Sequence, residues 1–308
     1  MAARQGLLKN ASSCTLVAGD LRAVFLPGRG MLGVSLRHKG VEILRRVENL
    51  ESAAEKGSTA GIPLLHPWAN RLAGFSYHAA GREVTLDPSS PLLHFDAKGL
   101  PMHGVPWSLL AWELLEAKRD FLVARLDWSR NDLLAVFPFP HQLELAVLLH
   151  PDSLTLETTL IAGADGLVPV SFGFHPYFGL PKLPRAEWSL KLPPMKRLKL
   201  SSDGIPTGEE EPFHGFNGPL ADHEFDDGFA LTAEQASISI SGAGCQITVE
   251  FLAGYSYAQI FAPKESDYIA LEPMTAPTGA LISGHGLRII NAGEQFRAMF
   301  RIRVDTLA

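Results

Sequence analysis

The chain has 308 residues with 27 Lys and Arg against 33 Asp and Glu, a formal net charge of -6, so it lacks the basic field that neutralises nucleic-acid phosphates. Hydrophobic residues make up 46% and charged residues 19%, which supplies a large core and excludes disorder as the main state. No stretch approaches the roughly 18 uncharged apolar residues of a membrane span, Cys14 and Cys245 show no metal or disulfide spacing, and residues 1–13 lack the apolar run of a secretory signal. A cytoplasmic protein with neither nucleic-acid nor membrane partners is expected.

Residues 23–26 are strand-like, and Gly28-Arg29-Gly30-Met31-Leu32-Gly33 follows with the glycine spacing of a dinucleotide loop. Pro27 interrupts that context, and Val34-Ser35-Leu36 continues as a strand instead of opening a helix, so the motif reads as a glycine turn between two strands. Residues 48–56 could make about two helical turns. In residues 141–149, Leu143, Leu145, Val147 and Leu149 share one face. Pro151-Asp152-Ser153 then turns the chain, and Leu154, Leu156 and Leu160 resume the alternation, a hairpin signature.

The polar stretch 201–217 reads as a long surface loop. A further hairpin runs from Ile238 and Ile240 through Ser241-Gly242-Ala243-Gly244 to Ile247, Val249 and Phe251. Near the C-terminus Phe296, Ala298, Phe300, Ile302 and Val304 alternate with Arg297, Met299, Arg301 and Arg303, a strand with one buried face. Helical periodicity is scarce and no internal repeat is present. The expected fold class is all-β in one domain over residues 1–308.

Several motifs could carry chemistry. Phe174-His175-Pro176-Tyr177-Phe178 sets an imidazole amid aromatics, which stack on the apolar face of a pyranose while the imidazole passes a proton. His103, in Met102-His103-Gly104-Val105-Pro106-Trp107, lies between turn formers and beside an indole. Arg71 follows Asn70 at the end of Gly61-Ile62-Pro63-Leu64-Leu65-His66-Pro67-Trp68-Ala69. Glu272, in Tyr268-Ile269-Ala270-Leu271-Glu272-Pro273-Met274-Thr275, is a carboxylate delivered where proline is expected to end regular pairing. Desolvation there would raise its pKa toward the range of a useful base. Asp226, in Phe225-Asp226-Asp227-Gly228-Phe229, has the composition of an ordinary turn. Each motif alone also has a structural explanation: a satisfied core histidine, a solvated arginine, a salt-bridged glutamate.

In this order, Asn70-Arg71, His103-Gly104, His175-Pro176-Tyr177-Phe178, Asp226 with Phe229, and Glu272-Pro273 resemble the aldose 1-epimerase family, the galactose mutarotases and their bacterial relatives. The resemblance implies a large antiparallel β-sandwich of the galactose mutarotase-like supersandwich type, with a sugar cleft on one face. It implies Glu272 as general base and His175 as general acid, with Arg71, Asn70, His103, Asp226 and Tyr177 binding the sugar. Asp226 is preferred to Asp227 because it stands three residues before Phe229, the spacing the family shows. The sequence departs from the family at Thr278-Gly279-Ala280, where an asparagine or aspartate often precedes the alanine.

The implied activity is an isomerase that interconverts the α and β anomers of a free aldohexose such as glucose or galactose. Opening the hemiacetal removes the anomeric hydroxyl proton and protonates the ring oxygen, so no metal or other cofactor is expected. The partner is the sugar, and a monomer or weak homodimer is the expected state. The competing readings are a hexose-phosphate 1-epimerase, which needs cations to clamp the phosphate, a non-catalytic carbohydrate-binding protein, and a glycoside hydrolase using Asp226 with Glu272.

Overall fold

The structure, a computed structural model, describes residues 13–47, 49–55, 59–164, 166–181 and 183–307. The N-terminal residues read for a secretory signal, all but Ser13, and the two ends of the 48–56 helix lie outside the described residues.

Strands dominate, and nearly all pair antiparallel. A nine-stranded sheet runs in the order Phe216–Pro219, Ser189–Leu192, Ser237–Gly242, Cys245–Ala253, Gln295–Thr306, Ser153–Ala162, His141–Leu149, Phe121–Trp128, Glu113–Ala117. Its inner face is built by the alternation seen in the sequence. His141–Leu149 pairs with Ser153–Ala162 as one hairpin, and Ser237–Gly242 pairs with Cys245–Ala253 as another. The glycine motif also turns between two strands, Leu21–Leu26 and Leu32–His38. Leu50–Glu55 forms the short helix.

A second sheet runs Pro206–Phe213, Met195–Leu200, Phe225–Ala230, Tyr257–Ala262, Ile269–Met274, Gly173–Phe174, Leu64–Leu65, with Tyr177–Phe178 also paired to Ile269–Met274. The two sheets share one core. Phe174 packs on Phe300 at 5.2 Å between ring centroids, and Phe172 on Phe296 at 6.2 Å. Burying such rings is the main stabilising term, worth on the order of 1.5–3 kcal/mol per large apolar side chain.

Three expectations are corrected. The stretch 201–217 is not one loop, since Pro206–Phe213 is a strand and the strand Phe216–Pro219 begins within it. Asp226 sits in the strand Phe225–Ala230, not in a turn. Pro273 does not end its strand: Ala258 pairs with Pro273 and Tyr257 with Met274. The physical reason is that the neighbouring chain leaves the ladder between Phe174 and Tyr177, opposite Leu271 to Pro273, where a residue without an N–H loses no bond. His175 occupies that interruption, its own N–H donating to Pro63 O at 3.1 Å.

Candidate active site

Ile269–Met274 is buried at every residue, yet it has two distinct faces. Alternation sends Ile269, Leu271 and Pro273 toward the inter-sheet core and Ala270, Glu272 and Met274 to the opposite face. Directly across from Glu272 in the ladder stands Gln259, and two positions from Gly228, the partner of Gln259, stands Asp226. Gln259 Nε2 donates to Asp226 Oδ1 at 2.8 Å. One face of three adjacent strands therefore presents a carboxyl, an amide and a second carboxyl.

A cleft of about 380 Å³ opens over this face, lined among others by Asn70, Arg71, Asp226, Gln259, Met274 and Thr278. Asp227 points the other way, where Arg197 Nε lies 3.3 Å from its Oδ1. Of the aspartate doublet, Asp226 is thus the residue at the cleft.

Two loops flank this face: Asn70 and Arg71 line the cleft itself, and His103 lines a neighbouring hollow with Thr59 and His94. Asn70 and His103 both adopt left-handed backbone, with φ of 58° and 62°, a conformation uncommon for residues other than glycine. They lock each other. His103 N–H donates to Asn70 O at 2.9 Å, and Asn70 N–H donates to His103 Nδ1 at 3.2 Å. Because Nδ1 accepts, the ring proton resides on Nε2, leaving His103 a hydrogen-bond donor on its other edge. Burial lowers its pKa to about 3, with His94 and Arg71 adding to the fall, so this tautomer stays neutral. Arg71 donates from Nε to Asp96 Oδ2 at 2.8 Å and from Nη1 to Asn70 Oδ1 at 3.3 Å, which aims the guanidinium along the cleft wall.

His66 anchors the first loop from below. His141 Nδ1 meets Phe139 O at 2.6 Å and can only donate there, so His141 Nε2 accepts from His66 Nε2 at 2.9 Å.

His175 and Glu272 meet at the base of this arrangement. His175 Nε2 lies 3.2 Å from Glu272 Oε1, with side chains 6% and 2% exposed. They do not face each other across the cleft; they touch. Tyr177 does not line the cleft. Its ring stacks on His175 at 4.2 Å and 16°, and its hydroxyl lies 3.3 Å from His175 Nε2 while also bonding Thr59 Oγ1.

Burial pushes the Glu272 carboxyl well above its ordinary value, with Asp226 adding and Arg71 opposing. Burial likewise pushes the His175 imidazole well down, with His103 and Arg45 adding to the fall. Two groups shifted apart in this sense hold one proton between them over a wide pH range, as carboxylic acid with imidazole or as carboxylate with imidazolium. Transfer along the 3.2 Å contact interconverts these forms without exchange with solvent. Among the described residues Glu272 Oε2 and His175 Nδ1 have no hydrogen-bond partner.

All seven residues singled out in the sequence thus gather on one side of the second sheet. Sequence reasoning missed Gln259 and Thr59. Gln259 carried a legible signal, a lone amide in the apolar run Tyr257-Ala258-Gln259-Ile260-Phe261. Thr59 carried none, because its role depends on where Tyr177 folds.

Comparison with known proteins agrees with this fold. The protein YihR of Escherichia coli K12, described as uncharacterized, is 25% identical over 315 residues, covering 95% of this chain and 93% of that one. A galactose mutarotase-like protein from Clostridium acetobutylicum has the same fold, with a TM-score of 0.81 at 20% identity over 95% of each chain. The galactose 1-epimerase of Lactobacillus acidophilus NCFM superposes with a TM-score of 0.77 at 12% identity, covering 97% of this chain and 96% of that one. At these identities the two structures establish the fold alone. The family model described as aldose 1-epimerase, however, matches residues 15–303, nearly the whole of both sheets and every residue of the site, so the chain belongs to the aldose 1-epimerase family, a family of isomerases acting on sugars.

Proposed function

We propose that the protein interconverts the α and β anomers of a free, uncharged aldohexose, with Glu272 as general base and His175 as general acid. The observation that carries this reading is the His175–Glu272 contact at 3.2 Å, a one-proton pair beside a cleft lined by sugar-binding chemistry.

The sugar enters with its anomeric end toward this pair and parts it. Glu272 in its carboxylate form takes the proton from the anomeric hydroxyl while His175 in its imidazolium form protonates the ring oxygen. The ring opens, the C1–C2 bond rotates, and closure with both transfers reversed gives the other anomer. The pair ends the cycle as it began, with one proton. His103 donates from Nε2, Arg71 and Asn70 offer further donors, and Asp226, held by Gln259, accepts from a hydroxyl. Tyr177 supports the imidazole from behind.

An uncharged substrate is favoured by the charge of the cleft. Arg71 is its lining cation and is already paired with Asp96, whereas Asp226 sets a carboxylate on the same wall. A phosphate would meet that carboxylate without a free cation to clamp it. Polarimetry on freshly dissolved glucose, galactose and glucose 6-phosphate tests this. Acceleration of the free sugars well above that of the phosphate is expected. A preference for the phosphorylated sugar would overturn the assignment of substrate.

A further inference from the structure

His175 is one member of a stack whose outer layers lie outside the cleft. The Arg45 guanidinium carbon sits 4.2 Å from the Tyr268 ring centroid and 5.5 Å from that of Tyr177, and Tyr177 in turn lies flat on His175. The two tyrosines meet edge to face at 5.4 Å. Arg45 is fixed at its backbone as well as at its head. Its N–H donates to Tyr177 O at 3.0 Å, its O accepts from Gly61 N–H at 3.0 Å, and Tyr177 N–H donates to Gly61 O at 2.9 Å. Arg45 Nη1 donates to Thr59 O at 3.4 Å, and the Thr59 hydroxyl is the one that bonds Tyr177. Among the described residues no carboxylate lies within ion-pair distance of Arg45; its charge faces aromatic rings.

We propose that Arg45 is a positioning residue for the acid of this site: its guanidinium packs in one cluster with Tyr268 and Tyr177, which holds the Tyr177 ring against His175 and thereby fixes His175 Nε2 on Glu272. The inference rests on the proton-exchange reading above. It follows from the way the contacts are shared, since each layer is held by the next and, among the described residues, Glu272 and the Tyr177 hydroxyl are the polar partners of the imidazole. Cation–π contacts of this kind contribute about 0.5–2 kcal/mol, enough to select one ring orientation.

The same placement acts on charge. Facing His175 are Glu272 from Ile269–Met274, His103 from its loop, Tyr177 from its own segment and Arg45 behind it; Asp226 and Arg71 act through Glu272. Arg45 opposes imidazolium formation, which makes His175 a stronger acid once it carries a proton.

The test uses Arg45→Met and Arg45→Lys in the full chain, with two readouts. Steady-state mutarotation of glucose gives kcat and KM, and ¹⁵N NMR of the imidazole gives the His175 titration midpoint. In Arg45→Met a roughly tenfold loss in kcat with KM nearly unchanged is expected, together with an upward shift of the midpoint. Arg45→Lys, which keeps the charge over the rings, should keep the midpoint near its original position. If Arg45→Met does not fold, Tyr268→Leu, which removes only the outer ring, carries the same expected kcat loss. An unchanged midpoint and kcat in Arg45→Met, or an unchanged kcat in Tyr268→Leu, overturns the proposal. A wild-type chain that accelerates no mutarotation sinks the functional reading instead, and the NMR midpoint still judges Arg45.

Discussion

At Asn70 and His103 the backbone is held in the left-handed region, uncommon for residues other than glycine but visited by asparagine and histidine more than by most, and the reciprocal bonds between the two residues keep it there. The arrangement has a use: it sets the neutral His103 ring beside His175, 5.5 Å between centroids, and lays the loop bearing Arg71 along the cleft. The pair beneath them is governed by opposite shifts. Burial depresses His175 and raises Glu272, so the acid limb of the pH–rate profile lies below the ordinary histidine value of 6.5 and the alkaline limb above the ordinary glutamate value of 4.5. In the proposed mechanism the singly protonated pair is the active form. The expected profile of kcat is therefore a plateau with its acid limb well below 6.5 and its alkaline limb well above 4.5, measured by initial mutarotation rates across the pH range. An acid limb at or above 6.5, or an alkaline limb at or below 4.5, would contradict the assignment.

Among elements, the strand Ile269–Met274 does most to build the site. It places Leu271 in the core and Glu272 on the cleft face, and Pro273 meets an interruption in its neighbour that His175 fills. The loop bearing Asn70 and Arg71 depends on the buried histidine pair. Replacing His141 with Leu would leave the His66 N–H without its acceptor, and an orphaned buried donor is worth about 1–3 kcal/mol of destabilisation. Chemical denaturation of His141→Leu should show a loss of that size, and an unchanged midpoint would mean the pair carries no structural load. Hairpins such as His141–Leu149 with Ser153–Ala162 were legible because one face is buried and the other wet. Pro206–Phe213 was not, since it is a mostly exposed edge strand paired on one side only and carries the polar composition of a loop. In Ile269–Met274 burial on both faces erases alternation, so only the oddity of a glutamate in an apolar run betrayed the site.

Over the whole molecule the chain order of the site, from Asn70 to Glu272, could be read from motifs, but their contact could not. Phe174 and Phe300 packing between the sheets, and the antiparallel order that sets Tyr177 beside Ala270, decide that His175 and Glu272 touch instead of facing each other across the cleft. The same burial makes stability depend on pH. His66, His103, His141 and His175 all have folded values below 6.5, with His103 at about 3 and His141 at about 4. The unfolded chain binds these protons first, so their contribution is full above pH 6.5 and lost as pH falls toward the folded values. Glu272 has the opposite sign: its contribution is full below 4.5 and lost as pH rises through its elevated value. With five lowered imidazoles, His94 among them, against the raised carboxyls of Glu272 and Asp227, the melting temperature should drop between pH 6.5 and 4. A melting temperature that stays level through that window would show the histidines titrating normally in the folded protein.

The central claim is that Glu272 removes the anomeric proton. Its most direct test is polarimetry of fresh α-glucose with the wild-type protein and with Glu272→Gln, alongside calorimetric sugar binding. The account predicts a loss of about 10²–10⁴-fold in kcat for Glu272→Gln with binding largely retained. A Glu272→Gln protein that interconverts the anomers at the wild-type rate would contradict it.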